Sequence, residues 1–182
     1  MVLTLINGAA RGVQLICAAV VLGLSISLIK GQVFGTVHAI NYAAFTGGWG
    51  MLAALIGIAA IFIEPLQGLI MAAVDGLATL FLLAGGIAIA VKLRNVSCSS
   101  NSDLNQYKLC GNHLTSGGTI KDKAGQPRCG LDDDDDRLSR CKKSSADAAF
   151  MIITAVVTIG TLAMALLAMK RGGGIGRKGV VV

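Results

Sequence analysis

Long apolar runs with almost no charge between them constrain this chain more than any other feature. The second and third runs are separated only by Glu64 and Pro65. One carboxylate and one proline leave no room for a folded loop, so two helices of membrane length joined there must be antiparallel neighbours. Pro65 suits a first helical position, and the Glu64 carboxylate is favoured beside the positive end of the helix dipole. The sequence therefore predicts a bundle organised around this hairpin.

Composition indicates a membrane protein rather than a soluble domain. Of the 182 residues, 54% are hydrophobic and only 14% are charged, whereas about a quarter of a soluble domain is charged. Ten of the sixteen Lys and Arg lie between Lys92 and Lys143, so the net charge of +6 reflects one segment. Nucleic-acid binding is not expected, because no aromatic-interleaved basic surface or zinc-type cysteine spacing is present.

The apolar runs predict an all-α membrane protein, a four-transmembrane-helix bundle with one disulfide-bearing extracellular loop between helices 3 and 4. The spans are expected at about 13–29, 41–63, 65–91 and 146–169. We expect residues 1–12 to be a cytoplasmic N-terminus with Arg11 at headgroup level. Residues 92–145 are expected to form the extracellular cysteine loop, and residues 170–182 a basic cytoplasmic tail. Four cations of that tail are expected to contact the inner leaflet: Lys170, Arg171, Arg177 and Lys178.

Asp75 is a carboxylate inside the predicted third span. It follows Pro65 by ten residues, about 15 Å of helix, which places it near the expected midplane. A charged acid there costs at least ~2.5 kcal/mol, so it faces the bundle interior or is protonated. One interpretation is a proton- or ion-binding group in a transport path. The favoured interpretation is structural. No Lys, Arg or second carboxylate is expected at that depth, and Asp75 is expected to form a hydrogen bond with the hydroxyl group of a serine or threonine. The candidates are Ser25, Ser27, Thr46, Thr79 and Thr154.

Small residues mark one surface of the predicted second span. Such residues let helix backbones approach closely in lipid. We interpret them as a packing surface through which the protein forms a homo-oligomer or associates with other membrane proteins. The residues are Gly47, Gly50, Ala53, Ala54 and Gly57.

Four cysteines lie in the hydrophilic segment, spaced twelve, nineteen and twelve residues apart: Cys98, Cys110, Cys129 and Cys141. They allow three pairings, of which the symmetric spacing suggests the nested one. Because no pair is a CxxC, a metal site is not expected. Disulfides require an oxidising compartment, so the loop is predicted to lie outside the cell or in the lumen. The acidic run Asp132 to Asp136 is expected to be a solvated loop tip.

The distribution of positive charge conflicts with this orientation. The loop carries ten Lys and Arg, against five in the N-terminus and tail, so a simple count places the loop inside. We give the cysteines more weight, because the loop charges are spread over a long segment while those of the tail cluster beside a membrane end. Both termini are therefore predicted to be cytoplasmic.

With these features the chain resembles MARVEL-domain membrane proteins and, more narrowly, the fungal non-classical export protein family. The resemblance covers nearly the whole chain. The matching positions are Arg11, Asn41-Tyr42, Phe62-Ile63-Glu64-Pro65, Asp75, Ala84-Gly85-Gly86, Ser97-Cys98 and Arg140-Cys141. The resemblance implies a shorter loop with one cysteine pair, so Cys110 to Asp136 looks like an insertion, and Cys98 is expected to pair with Cys141.

The resemblance implies a lipid-interacting plasma-membrane organiser rather than an enzyme. It further implies a role as a scaffold of eisosome-type compartments, sphingolipid-responsive signalling and unconventional export, with membrane lipids such as sphingolipid or sterol as partners. No nucleophile–base pair or ligand cluster is visible, so catalytic residues, cofactors and metals are not expected. The alternative hypothesis is an accessory subunit, channel or transporter component that uses Asp75.

Overall fold

The computed structural model of the chain describes residues 2–63, 68–121, 123 and 125–171. Its long helices are α1 (Val2–Lys30), α2 (His38–Phe62), α3 (Leu69–Leu93) and α5 (Asp134–Arg171). Between α3 and α5 lie the short helix α4 (Asp103–Gly111) and an antiparallel pair of strands, β1 (Thr119–Lys121) and β2 (Pro127–Cys129). Each of the four long helices is long and apolar enough to cross a membrane. The predicted fold class, a bundle of four membrane helices, is confirmed.

The four long helices form a ring. Helix α1 packs against α2 and α5, and α3 packs against α5 and α2, while α2 and α5 occupy opposite corners and hardly touch. The centre is filled by fully buried side chains of all four helices, among them Val21, Ile40, Leu82 and Met151. Large apolar side chains of the same helices, such as Ile16, Leu55, Leu80 and Val156, are exposed on the outside. The bundle therefore presents an apolar surface to its surroundings and keeps its polar groups inside.

Helix α1 begins at Val2, so residues 2–12, predicted as a segment before the first span, are continuous with the first membrane helix. Asn7 and Gly8 lie within the helix. A helical glycine costs up to about 1 kcal/mol, whereas each backbone group left unpaired in lipid costs several. Continuing the helix is the less costly choice, and it places Arg11 inside the bundle.

Helix α3 begins at Leu69 rather than at Pro65. The preceding Gly68 has φ 86°, a left-handed value that an α-helix does not contain. Glu64 and Pro65, the predicted turn and helix N-terminus, lie outside the described residues. Asp75 is consequently six residues into α3, about 9 Å from its start. The expected midplane position of Asp75 is replaced by one closer to the end of the bundle at which α3 begins.

Helix α5 begins at Asp134 and has 38 residues, about 57 Å of helix and more than a bilayer requires. The Asp135 N–H donates to Asp133 Oδ1 at 3.0 Å, which caps the helix start. Asp134 and Asp136 lie in its first turn, where the helix dipole favours acids. The acidic run is exposed, as expected of a solvated segment, but it is not a loop tip, because its last three residues form the first turn of the longest helix.

The segment between α3 and α5 folds against the connection between α1 and α2. The N–H groups of Val33 and Phe34 both donate to the Gly117 carbonyl, at 2.8 and 3.1 Å. Gly117 has φ 74°, and a Cβ there would lie 2.9 Å from the Gly31 carbonyl oxygen. The Asn112 side chain also donates to the Lys92 carbonyl at the end of α3, at 2.7 Å. Both connections therefore lie at the same end of the bundle, which we call the loop end.

Candidate functional site

A buried ion pair joins α1 to α3 near the opposite end of the bundle, which we call the terminal end. Arg11 Nη1 and Nη2 donate to Asp75 Oδ1 and Oδ2, each at 2.6 Å. The two residues are 1% and 0% exposed. Paired, bidentate hydrogen bonds between ionised groups are among the strongest that proteins make. Because each charge is met by the other, the interior is electrically neutral at this point.

Other helices complete the surroundings of the pair. Thr161 of α5 donates to Asp75 Oδ2 at 3.2 Å, and Gln14 of α1 accepts from Arg11 Nη1 at 3.0 Å. On α2, Gly57 leaves the space that the guanidinium occupies, because a Cβ there would overlap Arg11 Nε and Cζ. All four long helices therefore meet at the pair.

The partners of Asp75 differ from those predicted. The expectation that no cation lies at its depth is wrong, because Arg11, expected among the lipid headgroups, is buried against it. The hydroxyl that bonds its carboxylate belongs to Thr161. Of the predicted hydroxyls only Thr79 contacts Asp75, and it donates to the main-chain carbonyl at 2.8 Å. The carboxylate is therefore occupied by a guanidinium and one hydroxyl.

A second polar region lies on the inner face of α5 and continues towards the loop end. Buried polar side chains recur there in alternating steps of four and three, with one apolar interruption at Met151. Because a helix turns once in 3.6 residues, this spacing puts them on one face. The polar residues are Arg140, Ser144, Asp147, Thr154, Thr158 and Thr161.

Asp147 is the second buried carboxylate of the bundle. The fourth span was predicted at 146–169, which would put Asp147 in its first turn. Because α5 begins at Asp134, Asp147 lies well inside the helix and is fully buried. Ser25 of α1 donates to Asp147 Oδ2 at 2.8 Å. Within the described residues, Asp147 Oδ1 and the nearby Ser144 Oγ are buried without a partner. This carboxylate is therefore less fully compensated than Asp75.

Arg140 lies towards the start of α5 on the same face, and carbonyl groups accept from two of its three guanidinium nitrogens. Its Nη1 donates to the Leu28 carbonyl at 3.1 Å and its Nε to the Leu114 carbonyl at 3.4 Å. Leu28 belongs to α1 and Leu114 to the segment after α4. One guanidinium thus ties the loop segment to two membrane helices.

The predicted small-residue surface of α2 faces α1 of the same chain. A Cβ at Gly47 would lie 2.8 Å from the Leu22 main-chain nitrogen, and one at Gly50 would lie 3.1 Å from Ala18 Cβ. Ala53, Ala54 and Gly57 are also buried. These small residues therefore pack between helices as predicted, and the helix that they contact is α1 of the same chain.

The cysteines of the loop segment form the nested pairs Cys98–Cys141 and Cys110–Cys129. The outer pair joins the segment after α3 to α5, with Cα atoms 5.3 Å apart. The inner pair joins α4 to β2, with Cα atoms 5.0 Å apart. The disulfides therefore fasten the added loop structure to itself and to the bundle.

The cations of the predicted inner-leaflet contact are only partly described. Lys170 is exposed in the last turn of α5, and Arg171 is the final residue of that helix. Arg177 and Lys178 lie outside the described residues. Lys170 therefore lies at the terminal end, where a cation near a helix C-terminus is favourable.

Residues 3–164, most of the chain, match the MARVEL family, described as a membrane-associating domain. The chain belongs to the MARVEL family. No curated protein and no solved structure matches it. As a MARVEL protein with four helices able to cross a membrane, it is a multi-pass membrane protein. The buried polar groups within its membrane helices, such as Arg11 and Asp75, are thus intramembrane groups, for which pairing is the general requirement.

Several site residues of this MARVEL protein were missed from the sequence. Arg11 was expected at headgroup level because it lies close to the N-terminus, and Gln14 and Thr161 were not singled out. A signal for Thr161 was present in the alternating steps of four and three that connect it to Arg140. For Arg11 no local signal exists, because its partner is 64 positions away.

Proposed function

We propose that this MARVEL protein is a lipid-interacting organiser of the plasma membrane, with both termini in the cytoplasm. It would act as a scaffold of eisosome-type microdomains, respond to sphingolipid and support unconventional export. The observation that carries the proposal is the ion pair of Arg11 and Asp75, buried where all four long helices meet. A bundle that keeps this ion pair buried and its large apolar side chains outside interacts with its surroundings through that outer, apolar surface.

The contacts of the α2 glycines narrow the surface available for assembly. Because Gly47 and Gly50 pack against α1, a homo-oligomer or a complex with other membrane proteins must form through outward faces. The orientation is supported by the two disulfides, which need an oxidising compartment around the loop end. The terminal end, with Lys170, then faces the anionic inner leaflet.

The lateral distribution of the protein in living cells tests the proposal. The full chain with a fluorescent C-terminal fusion is expected to concentrate in plasma-membrane patches and to redistribute when sphingolipid synthesis is inhibited. Uniform fluorescence that ignores the inhibitor would contradict a microdomain role. A membrane-impermeant protease added to intact cells is expected to cut the loop and spare the fusion; the reverse pattern would overturn the orientation.

The second candidate is a channel or transporter component that uses Asp75, now with Arg11 as its counter-ion. It is favoured only by the polar face of α5, whose Thr158 and Thr161 extend from Asp75 towards Asp147. A neutral double variant, Arg11→Gln with Asp75→Asn, separates the two functions. If the double variant still forms patches in cells but has lost an ion-dependent activity, the transport function is favoured.

A further inference from the structure

A groove between α3 and α5 opens to the outside at the loop end. Its volume is about 310 Å³, and its apolar part is formed by Ala90, Leu93, Ala148, Ala149 and Ile152. Three of these five side chains are single methyl groups, so the helix surfaces recede there. A site of this size with apolar walls is of the kind that binds a small ligand or a lipid segment.

The groove ends just below its apolar part, where the two helices approach closely. A Cβ at Gly86 would lie 3.0 Å from Ile152 Cγ1 and 3.4 Å from the Ala148 carbonyl oxygen. There is no room for a ligand between the helices beyond this point. The groove is thus bounded at one end by close helix packing and open at the other.

Polar groups line the open end. Arg94 directly follows α3 and is exposed, and Ser145 of α5 is exposed beside it in the groove wall. The buried arginines, such as Arg11 and Arg140, donate to groups of the protein. By contrast, none of the side chains that the structure describes pairs with the Arg94 guanidinium. The groove therefore has a cation with free donors at its rim.

The position of the rim matches a membrane surface. The apolar segment of α3 ends at Leu93, so Arg94 falls where lipid headgroups begin. Two more exposed cations lie on the same two helices: Lys92 is two residues before Arg94, and Lys142 is three residues before Ser145. The groove thus offers apolar walls at the depth of acyl chains and positive charge at the depth of headgroups.

We propose that this groove binds a phosphate-bearing membrane lipid, with the phosphate on Arg94 and Ser145 and an acyl chain against the alanines. A guanidinium matches two phosphate oxygens at once, and a hydroxyl supplies a further donor. The site deepens the proposed lipid-interacting function and rests on it. It assigns the lipid a definite place at the loop end, away from the tail cations at the other end.

The outer disulfide sets the width of the rim. Cys98 lies four residues after Arg94, and Cys141 lies four residues before Ser145. The bond between these cysteines therefore holds the two walls at a fixed separation just above the headgroup position. Lipid binding in this groove is consequently linked to the oxidised state of the protein.

Native mass spectrometry of the full chain in mild detergent tests the headgroup contact. The probes are phosphatidylglycerol and a diacylglycerol with the same acyl chains, which lacks the phosphate. We expect the wild type to retain phosphatidylglycerol and to lose diacylglycerol. Arg94→Gln is expected to weaken retention about tenfold, as a charged hydrogen bond requires. Lys30→Gln, which removes an exposed cation at the same end, is the matched control and should bind as the wild type does.

A second pair of variants tests the acyl contact. Ala149 of α5 is exposed, so Ala149→Leu fills the groove without entering the core. Ala88→Leu adds the same bulk at an exposed position of α3 that does not line the groove. Only the first is expected to lower phosphatidylglycerol retention. Unchanged retention in Arg94→Gln or Ala149→Leu would overturn the site. The proposal would also be overturned if the wild type formed a lipid-free dimer that Ala149→Leu dissociates. The groove would then be occupied by a second copy of the chain rather than by a lipid. If these variants bind lipid as the wild type does while the protein still concentrates in plasma-membrane patches in cells, the groove is not the lipid site and the proposed function stands.

Discussion

The two ends of the bundle keep buried charge in different ways. At the terminal end, the Arg11 guanidinium is met by the Asp75 carboxylate. At the loop end, the Arg140 guanidinium is met by the carbonyls of Leu28 and Leu114, and disulfides add covalent links. The terminal end thus depends on one pair of side chains, whereas the loop end distributes its contacts among independent partners. We expect a single substitution to be enough to disrupt the terminal end, whereas the stability of the loop end should fall in smaller steps as its contacts are removed one at a time.

The largest expected effect comes from breaking the ion pair. Asp75→Leu leaves Arg11 buried without its counter-charge and should destabilise the bundle by about 3–5 kcal/mol. Arg11→Leu combined with Asp75→Leu should recover most of this, because neither remaining side chain is then charged. Thiol labelling of the buried free Cys17 during thermal unfolding measures both. A double variant as unstable as Asp75→Leu would show that the pair is not what holds the terminal end.

A smaller effect is expected from the outer disulfide. Replacing Cys98 and Cys141 by serine should cost about 2–4 kcal/mol. Removal of the Cys110–Cys129 pair should cost less, because it closes 19 residues rather than 43. Proteolysis of the loop segment should accelerate in both variants, while Cys17 in α1 stays protected. Rapid labelling of Cys17 would mean that the two ends unfold together and are not independent.

The smallest expected effect comes from adding a single methyl group to α2 beside the ion pair, compared with adding one elsewhere on the same helix. Gly57→Ala places a methyl group against Arg11 and should cost about 1–3 kcal/mol through overpacking. Gly48→Ala is the matched control, because nothing lies within 4 Å of its Cβ position. It should stabilise α2 by up to about 1 kcal/mol through helix propensity. Equal stability of the two variants in the unfolding assay would argue against close packing around the guanidinium.

The features that could be predicted from the sequence are those that depend on residues close together in the chain. Long apolar runs are sufficient for the four helices, because backbone groups in lipid have few alternatives to a helix. The nested disulfides followed from spacing and from the resemblance. The exact starts of α3 and α5 did not, because Gly68 adopts a left-handed conformation and Asp133 caps a helix that begins at Asp134. Composition reveals neither feature.

Contacts between helices were not predictable in the same way. The small-residue surface around Gly50 was recognised, but a sequence does not state whether such a surface meets its own chain or another. Asp75 was recognised as a buried acid, and its partner was missed because pairing depends on which faces of α1 and α3 meet. These are long-range choices set by packing, and local patterns carry little information about them.

The distance along the chain between Arg11 and Asp75 has a consequence for how the protein is made. The two residues are 64 positions apart, so at a synthesis rate of about 5–20 residues per second Arg11 emerges roughly 3–13 s before its partner. During that interval α1 carries an uncompensated cation, which favours keeping Arg11 at the membrane surface. The arrival of α3 would then draw it inward. The ion pair thus makes complete insertion of the first helix dependent on the third, and α1 is assembled as part of the bundle rather than as a finished unit.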